Sequence, residues 1–413
     1  MVVDLMHQRC AGIDIGKKSA KVCVRVQMGG PRSRQREVTD WGSMTREILG
    51  LREYLIDQRV TCVMMEATSD YWKPFYYVLE ESGFEVLLVN AKHVKNLPGR
   101  KTDVNDATWL AEVCAHGLAR ASFIPPPGVR ELRDLTRTRT IISRERVREI
   151  TRLEKRLESP GIKLSMVASD LTGVSAQRML GALVDGERDP EVLADLAVPQ
   201  MRHKHDQLVD ALTGRFTDHD AFLVKLHLRR ITDMDDQITA LDDQIEVMIE
   251  PFRRARDLLT TIPGVSTVVA DVIIAETGGD MTVFPTASHL AAWAGVAPGQ
   301  YESAGRRRAA KTRKGNSYLK GALGIAALAA GRTKNTYIGA RFHRLANRRG
   351  HLRAVVATER HILTAVWYIL TENVPYRELG TDHYQQTRPA QAKRRALKQL
   401  QALGYQVTLT PAA

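Results

Sequence analysis

Only four cysteines, Cys10, Cys23, Cys62 and Cys114, occur in 413 residues, and none is spaced as C-x-x-C. That scatter excludes a zinc ribbon and argues against a disulfide scaffold. A reducing, cytoplasmic compartment is the expectation. No run of about 18 apolar residues exists, so no membrane partner is expected. The longest apolar stretches, 321–331 and 361–371, read as buried helices. The first ten residues contain Asp4, His7 and Arg9 and no hydrophobic signal core, so no secretion signal is read.

What is present is an ordinary globular composition, 44% hydrophobic and 26% charged. The length suits two or three domains. The charge is not evenly spread. The formal net charge is +13, and between Tyr301 and Arg353 14 Lys/Arg stand against one acid, Glu302. The rest of the chain is balanced. A whole basic excess confined to one segment points to a polyanion, most simply nucleic acid.

Residues 9–123 alternate between strand and helix patterns. Cys10–Ile15 and Lys21–Gln27 read as a hairpin, and Arg36–Thr39 as a third strand. Ser43–Gln58 has helical spacing, with Ser43 as a candidate N-cap. Val60–Met65 and Phe84–Val89 are strand-length apolar runs. Tyr71–Glu81 and Asp103–His116 read as helices. The order β-β-β-α-β-α-β-α predicts a mixed sheet covered by helices. The run Pro125-Pro126-Pro127-Gly128 is expected to stop any helix and mark a boundary.

A charged helical stretch follows over 129–159, then small helices over 162–215. Val224, Ile231, Ile238, Ile245 and Phe252 recur by sevens, with Met234, Leu241 and Met248 in the other seam position. This predicts a coiled coil, either an antiparallel pairing within the chain or a dimer seam. Residues 256–372 read as compact and helical, and Ala390–Leu403 as a short basic helix. The expected division is 1–128, 129–255, 256–375 and a tail, 376–413.

Three constellations can carry chemistry. Asp14 is a charge between Ile13 and Ile15 in a strand, and needs a partner if buried. Glu66 ends an apolar strand. Asp103 and Asp106 share one face of a helix start. Converging carboxylates repel unless a hard cation neutralises them, which suits Mg²⁺, or Mn²⁺. Taken one by one, each has a structural reading; in this order, a metal site is favoured. The second constellation, Leu258 to Glu276 through Ile262-Pro263-Gly264-Val265, has a helix-hairpin-helix pattern. Backbone N–H groups near Gly264 could hold a phosphate, and a tight turn between packed helices is the equal alternative. The third is Ser303 beside Arg306, Arg307 and Arg308, continuing through Lys311, Arg313 and Lys314. A serine there meets a phosphodiester either as nucleophile or as a bystander in a phosphate clamp. Ser317 is a second candidate.

Together these pieces resemble the DEDD transposases of the Piv/MooV invertase type. The resemblance rests on Gly-Ile-Asp-Ile-Gly-Lys at 12–17, Met-Glu-Ala-Thr at 65–68 and Lys-Thr-Asp-Val-Asn-Asp-Ala at 101–107. Further on it includes Ile-Pro-Gly-Val at 262–265, Ala-Ala-Trp-Ala-Gly-Val-Ala-Pro at 291–298 and Ser-Ala-Gly-Arg at 303–306. It implies an α/β RNase H-like (RuvC-like) N-terminal domain, a helical coiled-coil middle and a mainly α C-terminal domain with a helix-hairpin-helix. It makes Asp14, Glu66, Asp103 and Asp106 the metal-binding set and Ser303 the nucleophile that joins to DNA. It also implies donor and target DNA, a structured non-coding guide RNA and a homo-oligomer, dimer or tetramer, in the nucleoid-associated cytoplasm. Absence of a Walker loop agrees with transesterification that conserves energy. Ala304 departs from the pattern, where glycine is common, and a positive φ there would be costly. The rival readings are a metal-dependent Holliday-junction-type nuclease using water and a non-enzymatic nucleic-acid-binding protein.

Overall fold

The computed structural model describes residues 5–28, 34–91, 94, 97, 105–299, 301–307, 311–387 and 389–408. Asp103 and Arg308 lie outside the described residues. The chain divides into two compact units, Met1–Ile124 and Pro125–Ala413.

The first unit is a five-stranded mixed sheet in the order β3-β2-β1-β4-β5. The strands are β1 (Arg9–Ile15), β2 (Ser19–Gln27), β3 (Arg34–Gly42), β4 (Cys62–Glu66) and β5 (Glu85–Val89). β1, β2 and β3 form an antiparallel meander; β4 and β5 continue from β1 in parallel. Alternation along β1 sorts the two faces. Ala11, Ile13 and Ile15 join the core with α1 (Thr45–Asp57) and α2 (Trp72–Glu80). Cys10 faces α3 (Asp106–Ala115), whose Leu110, Val113 and Cys114 pack with Cys62 and Met64. Gly12 is the closest approach. A Cβ there would lie 2.3 Å from both the Ala107 carbonyl oxygen and the Ala111 nitrogen. Only glycine lets α3 sit on β1 at this spacing.

The expected cap of α1 needs correction. Met44, not Ser43, occupies the N-cap of α1, and the Ser43 hydroxyl is buried without a hydrogen-bond partner. The helix expected from 129 begins inside the proline run, which no helix crosses: α4 spans Pro127–Glu158, with Pro127 in its first turn. A proline there gives up an N–H that has no helical acceptor anyway.

The second unit is mostly helical. Four short helices, α5 (Leu164–Val167), α6 (Val174–Val184), α7 (Pro190–Asp195) and α8 (His205–Leu212), lead to α9 (Asp218–Met248). α9 begins with a capping box: Thr217 and Asp220 satisfy each other's backbone N–H groups. α4 and α9 run antiparallel, tied by Arg139–Asp242, Arg146–Asp235 and Arg156–Asp220. Between these pairs the fully buried Glu149 accepts from Arg152 and pairs with His227, both at 2.7 Å. Burial alone would raise the Glu149 pKa; His227, Arg152 and Arg230 together hold it below the usual range. The heptad series ends earlier than its spacing predicts. Phe252 falls in a 3₁₀ turn, because Pro251 cannot continue the helix. Leu164, Met179, Leu180, Leu193 and Leu208 from α5–α8 form one core with Leu153, Leu157, Val224 and Ile231 of the helix pair.

The remaining elements are α10 (Arg253–Thr260), α11 (Thr267–Thr277), α12 (Ala287–Trp293), the short strands β6 (Glu302–Ser303) and β7 (Arg306–Arg307), α13 (Ser317–Arg332), α14 (Tyr337–Arg349) and α15 (His351–Glu372). Leu319, Leu323, Ala326 and Ala330 of α13 are buried, as are Ile362, Leu363 and Val366 of α15. α16 (His383–Thr387) and α17 (Pro389–Ala402) end the described chain. Among the described residues no helix is long and apolar enough to cross a membrane.

Candidate active site

In the first unit, sheet register brings the predicted acids to one end. Ile13 of β1 is level with Met65 of β4, so Asp14 and Glu66 are the next residues on adjacent parallel strands. Neighbouring strands are about 4.8 Å apart. Asp14 shares a face with Gly12, and Glu66 shares one with Met64; both faces look toward α3. α3 runs antiparallel to β1: Ala111 lies over Cys10, Ala107 over Gly12, and its N-terminus reaches the Asp14 end. Asp106 is the first residue of that helix, after Asn105, whose side chain accepts from the Ala107 N–H at 3.0 Å. Asp14, Glu66 and Asp106 therefore share one edge, at the carboxyl ends of the parallel strands. Such edges are where open α/β sheets bind ligands.

The donor set fits a hard divalent cation. It is all carboxylate oxygen, half-buried at Asp14, Glu66 and Asp106, and it meets the positive end of a helix. Among the described residues it does not close into a cage with all ligand atoms within 4.8 Å of one another. Lys21 is level with Asp14 on β2 and is paired with Asp40 at 3.0 Å. It adds a cation to the same edge, and sequence reading passed over it. On the same face of the sheet, Arg25 (2.8 Å), Arg34 (2.5 Å) and Arg36 (2.8 Å) all hold Glu112 of α3. Burial acts to raise the Glu112 pKa, but these arginines outweigh it and lower it. Their pull fastens α3 to β2 and β3.

In the second unit, Ser303 sits on a hairpin. Glu302 pairs with Arg307 and Ser303 with Arg306, leaving Ala304-Gly305 as a two-residue turn. Both turn residues have positive φ, 49° at Ala304 and 73° at Gly305. That matches the type I′ turn, whose twist suits tight hairpins. Ser303 and Arg306 are exposed. Ala304 thus carries the strain that sequence reading anticipated. Replacing Ala304 by Gly should relieve about 1 kcal/mol, and Val should add strain. Amide exchange across 301–307 is expected to slow in the order Val, Ala, Gly.

The hairpin rises from a tight neck. A Cβ on Gly315 would lie 2.3 Å from the Gly295 nitrogen, so the two backbone segments touch. Pro298 bridges to Thr312, and Lys320 donates to Thr312 at 3.2 Å. Lys311, Arg313 and Lys314 are exposed beside it. Below the neck Asn316 caps α13, its side chain accepting from the N–H groups of Tyr318 and Leu319. The Asn316 amide donates at 2.5 Å to Glu276, the fully buried carboxylate near the end of α11. Arg137 of α4 clasps the same carboxylate with two bonds, 2.7 and 2.8 Å, and stacks over Tyr318 at 4.7 Å. Arg133 donates to the Glu276 carbonyl at 2.7 Å. Sequence reading missed this hub. Its signal was present: Glu276 is a charge closing the apolar run Val272–Ala275. Glu276→Ala should cost about 3–5 kcal/mol, because it strands the Arg137 charge. A thermal melt checks this, and Glu276→Gln, which keeps the Asn316 contact, should lose less.

α10 and α11 are joined by a tight turn at Pro263-Gly264, in which the Val265 N–H donates to the Ile262 carbonyl at 3.0 Å. Ser266 caps α11, accepting from Val269 N–H at 3.4 Å. Arg256 braces the two helices by pairing with Asp271 at 2.9 Å. Burial pushes the Asp271 pKa up to about 6 against the pull of Arg256. Gly264 has φ +89°, and its Cα faces α13: a Cβ would be 2.4 Å from the Ala326 oxygen. Packing accounts for this glycine directly, as in the tight-turn alternative. Ser317 lies exposed in the first turn of α13.

Comparison with known proteins places both units. Residues 11–160 match the transposase family model of DEDD type from IS110 elements. Residues 256–343 match the model described as transposase IS116/IS110/IS902 family. The chain is 24% identical over 402 residues to the uncharacterized 42 kDa protein of insertion element IS900 from Mycobacterium paratuberculosis, covering 90% of this chain and 98% of that one. It is 23% identical over 386 residues to the transposase of insertion sequence element IS1111A from Coxiella burnetii, covering 89% and 90%. It is 31% identical over 150 residues to the 43.6 kDa protein of insertion element IS110 from Streptomyces coelicolor, covering 35% and 36%.

Proposed function

The chain belongs to the DEDD insertion-sequence transposases of the IS110 group, and on that premise we propose that it recombines DNA by serine attack assisted by its carboxylate edge. Transposase membership makes it a DNA-recombining enzyme; the finer chemistry is our reading. Asp14, Glu66, Asp106 and Asp103 would hold Mg²⁺, or Mn²⁺ in its place. When bound, the ion supplies charge to neutralise the scissile phosphate and to make a serine hydroxyl a better nucleophile. The observation that carries the reading is the register placing Asp14 beside Glu66, with the α3 N-terminus on their face.

Ser303 is the nucleophile in this reading. Its exposed position on a pinned hairpin presents the hydroxyl to a phosphodiester rather than to a core. Attack on phosphorus forms a phosphoserine bond and breaks the P–O bond to the leaving DNA hydroxyl, which takes up a proton. Attack by a DNA hydroxyl on that phosphoserine reseals the strand and returns Ser303, so no external energy is needed. Arg306, Arg307, Arg308, Lys311, Arg313 and Lys314 screen the phosphate charge. Backbone N–H groups at the start of α11, next to Gly264 in the helix-hairpin-helix reading, add a contact to DNA. The α4–α9 pair serves as the coiled-coil element for a homo-oligomer, dimer or tetramer, and a structured non-coding RNA pairs with donor and target DNA. The carboxylates and the serine then act on the same phosphodiester within that assembly.

Labelled junction DNA with co-purified RNA tests the reading. Ser303→Ala should abolish strand cleavage, whereas a metal-dependent nuclease using water would keep it. Ribonuclease treatment should abolish recombination; full activity without RNA would overturn the RNA-guided part.

A further inference from the structure

The cysteines that are scattered in sequence converge in space. Cys10 is the second residue of β1, Cys62 starts β4, and Cys114 is near the end of α3; all three are fully buried. Cys10, Cys62 and Glu85 are level across β1, β4 and β5. The Cys114 and Cys62 sulfurs are 3.3 Å apart. His7, just before β1, is fixed by its backbone N–H to the Ala115 carbonyl at 3.2 Å. Its Nε2 lies 3.8 Å from Glu85 Oε2. Ligand atoms of His7, Cys62 and Glu85 all fall within 4.8 Å of one another.

We propose that His7, Cys62 and Glu85 form a structural site for a thiophilic divalent cation of the zinc class, which the Cys114 sulfur, 3.3 Å from Cys62 but outside the three-residue cluster, completes by a shift toward the ion. Tetrahedral zinc, with bonds of about 2.0–2.3 Å, places its ligand atoms roughly 3.3–3.8 Å apart. The His7–Glu85 and Cys62–Cys114 separations are already near that spacing. A mixed sulfur, imidazole and carboxylate set selects zinc over magnesium. The exposed Glu85 and partly exposed His7 give the ion a path in, and the buried sulfurs hold it from below. Binding forms metal–sulfur bonds and releases the thiol protons of Cys62 and Cys114 to solvent. The site is distinct from the carboxylate edge, since Cys62 begins the strand that Glu66 ends, about 13 Å away along β4. Its effect is to clip the segment before β1 to the starts of β4 and of the edge strand β5.

The test uses the full chain, stripped with chelator, kept reduced and titrated with Co²⁺. Wild type should develop thiolate-to-cobalt charge-transfer absorption that saturates at one equivalent and is displaced by Zn²⁺. The melting temperature should rise with Zn²⁺. Asp14→Asn should leave the band intact, because carboxylates alone cannot produce it. Cys62→Ser should abolish it. As Cys62 is buried, the surface variants His7→Ala and Glu85→Gln provide independent evidence; each should weaken Co²⁺ binding by at least about tenfold. A wild type without the thiolate band overturns the proposal, as does a band of unchanged affinity in both surface variants.

Discussion

Glu66→Gln and Asp14→Asn should each lower DNA strand cleavage by at least about a thousandfold, roughly 4 kcal/mol of transition-state stabilisation. Neither should unfold the protein. Both replacements keep the side-chain shape and a hydrogen-bonding head group. The melting temperature should therefore hold as activity disappears. That separation of activity from stability distinguishes a metal-binding carboxylate from one that merely supports the fold. The check is cleavage of labelled junction DNA beside a thermal melt of the same preparations. Activity within about tenfold of wild type would remove Glu66 from the site.

Gly12→Ala should produce a large loss of stability from the smallest change. The added methyl meets backbone, not side chain: the Ala107 oxygen and Ala111 nitrogen at 2.3 Å and the Leu110 carbonyl carbon at 2.8 Å. No rotamer change can relieve this, so α3 must move off β1. Overpacking of this kind costs about 1–3 kcal/mol, and backbone contacts place it at the upper end or beyond. Asp106 begins α3, so the displacement also carries that carboxylate away from Asp14. Stability and cleavage should fall together, unlike the Glu66→Gln outcome. Hydrogen exchange in α3 measures the first loss directly, and unchanged protection there would contradict the packing argument.

Much of the first unit is legible because its signals are local. Strand and helix periods follow one another in the order that folds, and Asp14 stands out as a charge between Ile13 and Ile15. Once β1 and β4 are parallel neighbours, register alone brings Asp14 level with Glu66. Nonlocal features are harder to read. The meeting of Cys10, Cys62 and Cys114 depends on three elements packing together, which no spacing motif encodes. The antiparallel choice for α4 and α9 depends on which arginines find which aspartates. The Ser303 neck depends on Gly295 touching Gly315 across a loop. Glu276 could have been found by the rule that singled out Asp14, since both are charges set against apolar runs. The misreadings at Ser43 and Phe252 share one cause: a local preference was followed past the point where its neighbours decide.

In the proposed reaction one serine and one carboxylate set act on the same DNA phosphodiester. The most direct measurement is a covalent trap. Protein, co-purified RNA, Mg²⁺ and labelled DNA spanning the element junction are mixed, quenched with detergent and resolved for a DNA–protein adduct. Wild type should give an adduct that is lost in both Ser303→Ala and Glu66→Gln. Mg²⁺-dependent nicking without an adduct, undiminished in Ser303→Ala, would contradict it and leave Ser303 as a phosphate contact.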